Sequence, residues 1–189
     1  CMKRVFGARV YLSVLFALFL MFNLLFAEEN SYMSEKNPVV TITMENGEKI
    51  VMQLFPEIAP NTVNSFIHLI ESNFYDGLIF HRIVPDFVVQ GGCPDGTGTG
   101  DPGYLIKGEF TTEIGHRRGT LAMARATDPN SGGSQFYVCL NDDTAKHLDG
   151  QYAIFGEVVE GMDVVDGIKI GDAMMKVEVD TKGVDYPLP

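Results

Sequence analysis

The apolar residues of this chain come in short runs, broken at regular intervals by residues that make turns. Val39 to Met44 and Lys49 to Phe55 flank Glu45-Asn46-Gly47-Glu48, and Asn-Gly between two apolar runs is a strong hairpin signal. Ile79 to Val84 and Phe87 to Val89 flank Pro85-Asp86, a pair poorly suited to the inside of a strand. Thr120 to Ala124, Gln135 to Leu140, Ala153 to Val158 and Met175 to Val179 continue the rhythm. Two stretches depart from it. Val63, Phe66, Ile67 and Ile70 recur at helical spacing after Pro60, with Asn61 or Thr62 placed to cap, and Met162 to Ile168 reads as a second, shorter helix. Many short strands with only two helices predict a closed antiparallel sheet, and closure also removes the exposed edges that so many apolar strands would otherwise present.

Residues 1–27 have a different layout. Lys3, Arg4 and Arg9 precede an apolar run from Val10 to Phe26 that only Ser13 and Asn23 interrupt, and Glu28-Glu29 follow. A basic end, an apolar middle and a polar exit make an export signal, and this one favours cleavage after Ala27. The run is also long enough to serve as an uncleaved N-terminal anchor, the only membrane attachment the sequence offers. The chain is thus expected outside the cytoplasm: periplasmic, extracytoplasmic or secreted. Cys1 precedes the apolar run, whereas a lipid-attachment cysteine would follow it, so no structural role is expected for it. Residues 28–37 read as a linker and 38–189 as one domain, because 189 residues with 46% apolar content supply one ordinary core. A net charge of -11 argues against nucleic acid as a partner, since phosphate binding needs clustered Lys and Arg. Nothing in the sequence demands more than a monomer.

Within the domain, Arg82 lies in the strand that starts Phe80-His81-Arg82. If side chains alternate regularly, Phe80, Arg82 and Val84 share a face and His81 points to the other, where a structural role is expected. A guanidinium among large apolar residues needs a carbonyl, a carboxylate or a ligand, and Gln90, just past the turn, can hold it in place. A second strand, loop and strand follows from Leu121 to Val138, with Gln135 and Tyr137 on one side of its second strand. Other chemistries fail on spacing. Gly98-Thr99-Gly100-Asp101-Pro102-Gly103 matches the dinucleotide fingerprint, but Pro102-Gly103 cannot open the helix that motif requires. His68, His81, His116 and His147 have no paired ligand spacing, so no metal and no cofactor is implied. No serine sits in a nucleophile elbow. Cys139 reads as a small buried hydrophobe, and the oxidation state of Cys93, which follows Gly91-Gly92, is not readable from sequence.

Four blocks together carry a resemblance. Phe-His-Arg-Ile-Val-Pro-Asp-Phe-Val-Val-Gln-Gly-Gly at 80–92, Gly-Thr-Leu-Ala-Met-Ala at 119–124, Gly-Ser-Gln-Phe at 133–136 and Leu-Asp-Gly-Gln-Tyr-Ala-Ile-Phe-Gly at 148–156 closely resemble the cyclophilins, a family of peptidyl-prolyl cis-trans isomerases. The resemblance implies an all-β fold: a closed eight-stranded antiparallel barrel capped by two α-helices, filled by side chains, with its working surface outside. It implies catalysis of rotation about X-Pro bonds during the folding of exported proteins, with proline-containing polypeptides as partners. Arg82, Gln90 and Phe87 would be the catalytic group. Phe87, Val88, Leu148 and Tyr137 would line the proline pocket, with Ala124 and Arg125 as backbone contacts, Gln135 as a polar holder beside Gln90, and Tyr152 at the rim. Three residues depart from the usual family pattern. Tyr137 stands in place of Phe and brings a hydroxyl that needs a partner or water. His147 replaces the Trp that contacts cyclosporin in many eukaryotic members, which implies weak cyclosporin binding. Tyr152 replaces a frequent His. Two rival readings are a non-catalytic chaperone module that grips proline segments on the same fold, and a structural surface protein, for which repeats and anchoring motifs are missing.

Overall fold

The computed structural model describes residues 32–189, and the export segment read at 1–27 lies outside them. The Asn46-Gly47 hairpin forms as the sequence predicts, pairing β1 (Val39–Met44) antiparallel with β2 (Lys49–Leu54). Gly47 adopts φ 84°, which a residue without Cβ reaches freely, and the Met44 N–H closes the turn onto the Glu48 carbonyl at 2.9 Å. Alternation then buries Val40, Ile42 and Met44 of β1 and Ile50, Met52 and Leu54 of β2.

Helix α1 (Pro60–Glu71) follows, with Pro60 in the first turn, where its missing N–H is harmless. Neither Asn61 nor Thr62 caps it, contrary to the sequence expectation. Ala59 holds the cap position and offers no side-chain acceptor. The Glu109 carboxylate accepts instead, from the Asn61 N–H at 3.1 Å, the Thr62 N–H at 2.8 Å and the Thr62 hydroxyl at 2.7 Å. A carboxylate suits this place, because helix N-termini carry unpaired donors and partial positive charge. The predicted face of Val63, Phe66, Ile67 and Ile70 is buried. Phe66 sits among Tyr75, Phe155 and Phe136 at centroid distances of 5.0, 5.1 and 5.5 Å, with the rings tilted or edge-on.

The remaining elements are β3 (Phe80–Val84), β4 (Val88–Gly91), β5 (Thr120–Met123), β6 (Phe136–Cys139), β7 (Ile154–Glu160), α2 (Met162–Gly167) and β8 (Met174–Asp180), with a 3-10 turn at Lys146–Leu148. All eight strands join one antiparallel sheet in the order β3-β4-β6-β5-β7-β2-β1-β8. Helix α1 packs against β7 and β8, and α2 against β2. The expectation of full closure is corrected: β3 and β8 are edge strands with no ladder between them, so the sheet is a curl. Its edges meet at one isolated bridge, Ile79 with Ala173, flanked by hydrogen bonds from the Met174 N–H to the Leu78 carbonyl and from the Phe80 N–H to the Asp172 carbonyl, both 2.9 Å. Contact ends at Phe80. The next residue, His81, is the extra residue of a β-bulge, which bends a strand and interrupts its ladder.

Candidate active site

The bulge at His81 decides where Arg82 points. Phe80 pairs with Gly91, but Arg82 pairs with Gln90 and Ile83 with Val89, so His81 has no cross-strand partner. In a regular strand Arg82 would oppose Val89 and face the core. The extra residue reverses this, so the expectation that Phe80 and Arg82 share a face is corrected: Phe80 is 1% exposed in the core, while Arg82 is exposed beside Gln90. His81 is partly buried next to Gly98, and burial first, then the Arg82 charge, push its pKa down. From Gln90 the outer face continues across the sheet to Tyr137 and Ala122.

On this face lies a hollow of about 310 Å³. The β3–β4 hairpin contributes Arg82, Phe87, Val88 and Gln90, and β6 contributes Tyr137. His147 and Leu148 come from the 3-10 turn, Ala124 and Arg125 follow β5, and Tyr152 precedes β7. Of the residues singled out from sequence, Gln135 alone lies outside this hollow. It lines an adjoining one of about 410 Å³, which shares Gln90, Ala124 and Arg125 with the first.

A chain of amide hydrogen bonds fixes Arg82. Arg82 Nη1 donates to Gln90 Oε1 at 3.2 Å, and Gln90 Nε2 donates to Gln135 Oε1 at 3.0 Å. Gln135 Nε2 then donates to the carbonyls of Gly98 and Gly100, each at 3.0 Å. The glycine-rich loop that looked like a nucleotide motif is thus the anchor of this chain. Asp95 organises the loop by accepting from the Cys93 thiol at 2.8 Å and from the Thr97 N–H at 3.0 Å, contacts that hold its carboxyl at about 2. Gly92, at φ 82°, latches the loop to β6: a Cβ there would lie 2.5 Å from the Ser134 carbonyl, and the Ser134 hydroxyl donates to the Gly92 carbonyl at 2.7 Å. Cys93 and Cys139 are both free and buried, and burial raises the Cys139 thiol to about 12.

The walls are aromatic. Phe87 stacks on His147 with centroids 5.6 Å apart, and the Arg125 guanidinium lies 4.5 Å from the Tyr152 ring centre while its Nε donates to the Gln151 carbonyl at 3.0 Å. The floor is Tyr137, 4% exposed, and its hydroxyl has the partner it needs: His116 Nε2 at 2.9 Å. His116 is itself buried, and Asp149 Oδ1 accepts from both its Nδ1 and its backbone N–H at 2.7 Å. Burial pushes the Tyr137 hydroxyl well above and the His116 imidazole below their ordinary values. Asp149 stays below the usual carboxylate range: its burial, which acts in the opposite direction, is outweighed by the bonds from His116. Sequence reasoning missed His116 and Asp149. The one available signal was the extra hydroxyl of Tyr137, which had to be satisfied by something.

No Ser, Thr, Cys, Asp or Glu lines the hollow beside Arg82. A hollow with Phe87, Val88, Tyr137 and Leu148 on its apolar side and a held cation at its edge is suited to gripping a ring and biasing charge beside it, not to covalent attack. Comparison with known proteins points the same way. Residues 39–185 match the family model described as cyclophilin type peptidyl-prolyl cis-trans isomerase/CLD. Peptidyl-prolyl cis-trans isomerase B of Bacillus subtilis is 46% identical over 138 residues, covering 72% of this chain and 94% of that protein. A peptidyl-prolyl cis-trans isomerase of Helicobacter pylori is 44% identical over 145 residues, covering 75% and 86%. A crystal structure of a Cryptosporidium parvum cyclophilin superposes with a TM-score of 0.69 at 28% identity, covering 76% of this chain and 98% of that one. A second crystal structure of that cyclophilin, determined in the presence of the dipeptide Ala-Pro, gives 0.64 at 30% identity, covering 75% and 96%. With eight antiparallel strands and two α-helices among the described residues and this match across most of its length, the chain belongs to the cyclophilin-type peptidyl-prolyl cis-trans isomerases.

Proposed function

We propose that Arg82 is the residue through which this chain accelerates rotation about X-Pro bonds, and that it does so on polypeptides outside the cytoplasm. The single observation that carries the first half is the convergence of Arg82, Phe87, Tyr137 and Leu148 on one hollow, with Arg82 held by Gln90. The uncatalysed barrier is the loss of amide resonance, about 18 to 20 kcal/mol. In the twisted amide the proline nitrogen regains a lone pair and becomes an acceptor. An Arg82 donor meets that acceptor only in the twisted state, so the contact lowers the barrier rather than merely binding substrate. A charged hydrogen bond contributes about 1.5 to 3 kcal/mol, or about one to two decades in rate. The remainder comes from Gln90, Gln135, Ala124 and Arg125 orienting the flanking backbone, while Phe87, Val88, Tyr137 and Leu148 grip the ring in every state of the rotation and Tyr152 and His147 close the rim.

Export rests on the basic, apolar and polar layout of residues 1–29. A protease-coupled assay on a short X-Pro peptide tests the catalytic reading against the proline-gripping chaperone on the same fold: acceleration that falls in Arg82→Ala supports the enzyme, and binding without acceleration supports the holdase. Mass spectrometry of the native N-terminus tests the export reading. A chain beginning at Glu28, or an intact one recovered in the membrane fraction with its domain outside, supports it; an intact soluble cytoplasmic chain overturns it.

A further inference from the structure

We infer that His116 and Asp149 are positioning residues for the proline pocket: the chain Asp149–His116–Tyr137 clamps the pocket floor on β6 to its wall at the 3-10 turn. The inference rests on the pocket assignment above. Asp149 follows Leu148 directly, so the carboxylate that holds His116 also ends the turn carrying two lining residues, His147 and Leu148. It grips His116 twice, through the ring Nδ1 and the backbone N–H, both at 2.7 Å. The other ring nitrogen meets the Tyr137 hydroxyl at 2.9 Å.

Chemistry fixes the direction of each bond. A carboxylate only accepts, so Nδ1 carries the hydrogen. That leaves Nε2 of a neutral imidazole as an acceptor, and the Tyr137 O–H donates to it. Both ring nitrogens of His116 and the Tyr137 hydroxyl are then satisfied without water, although the side chain of His116 is fully buried. Such a chain has one low-energy geometry, and the Tyr137 ring is part of it. The ring is also boxed in by His116, nearly parallel at a centroid distance of 6.0 Å, and by Tyr152 edge-on at 5.9 Å. Removing the hydrogen bond frees both the ring tilt and the turn. The floor and wall touch the proline ring before, during and after rotation, so loosening them weakens binding of all these states alike, which raises KM and leaves kcat.

The test is a cycle of His116→Leu, Tyr137→Phe and the double variant, read as kcat and KM for an Ala-Pro peptide, with the peptide Kd measured by NMR titration. His116→Leu is expected to raise KM and Kd by about fivefold, the equivalent of one ordinary hydrogen bond, with kcat within about twofold. In the Tyr137→Phe background the same substitution should shift KM and Kd by less than about twofold, because there is no hydroxyl left to hold. Asp149→Asn, which keeps an acceptor, should lose less affinity than Asp149→Ala. An equal His116→Leu effect in both backgrounds, a folded His116→Leu protein with unchanged KM and Kd, or a loss confined to kcat overturns the inference. Should His116→Leu fail to fold, the imidazole nitrogen shifts of the unaltered protein still decide: a protonated Nδ1 and bare Nε2 support the clamp, and the opposite tautomer or a mixture overturns it. A protein that binds the peptide but does not accelerate rotation defeats the isomerase reading alone, and the clamp is then judged from Kd.

Discussion

The role proposed for Arg82 rests on what surrounds the residue rather than on what it is. The sequence places an arginine in a strand, but a strand without the His81 bulge would turn it into a core already filled by Phe80, Phe136 and Val89. Its orientation is a cross-strand property, and its hold on Gln90 depends on Gln135 and two glycine carbonyls further on. At the rim, His147 covers Phe87 with a smaller, more polar ring than an indole and leaves less apolar surface for a large cyclic ligand. Cyclosporin is therefore expected to inhibit only above about 1 µM, a binding free energy of about -8 kcal/mol, and His147→Trp should tighten it by tenfold or more. Nanomolar inhibition of the unaltered protein in a peptide assay would contradict this.

At the level of elements, the sequence was most legible where structure is local. Short apolar runs bounded by turn residues marked the eight described strands, Asn46-Gly47 marked the first hairpin, and the segments read as helices match the two described helices to within a residue or two. What escaped depends on partners far along the chain. Glu109 caps α1 from 47 and 48 residues away, so no reading of residues 59 to 62 could find it. Tyr137 finds His116 at a separation of 21 residues and His116 finds Asp149 at 33. Motif blocks reveal which side chains line a pocket, but not what stands behind them. The cap gives a clean test: Glu109→Ala should lower stability by about 1 to 2 kcal/mol in urea unfolding, having removed the acceptor of two helix N–H groups and a hydroxyl. A change under about 0.3 kcal/mol would mean that water replaces the carboxylate without loss.

At the scale of the whole domain, the curled sheet encloses Phe55, Phe66, Tyr75, Phe80, Phe136 and Phe155 and leaves the hollow to its outer face, so stability and activity draw largely on different residues. His116 joins the two. Its folded pKa lies below its ordinary value of 6.5, so between those values the unfolded chain binds more protons than the folded one. Stability must then fall as pH drops through about 6.5 toward the folded pKa, and His116→Leu should flatten that part of a plot of urea midpoint against pH. An unchanged slope in the variant would assign the effect elsewhere, His81 being the other histidine with a lowered value.

The central claim, that Arg82 favours the half-turned amide over either ground state, is tested most directly by measuring kcat and peptide Kd together for the unaltered protein and Arg82→Ala. The account predicts a kcat lower by about one to two decades, with Kd changed by less than about threefold. A Kd that weakens in step with the lost activity, at unchanged kcat, would show that Arg82 merely binds proline segments, and would contradict it.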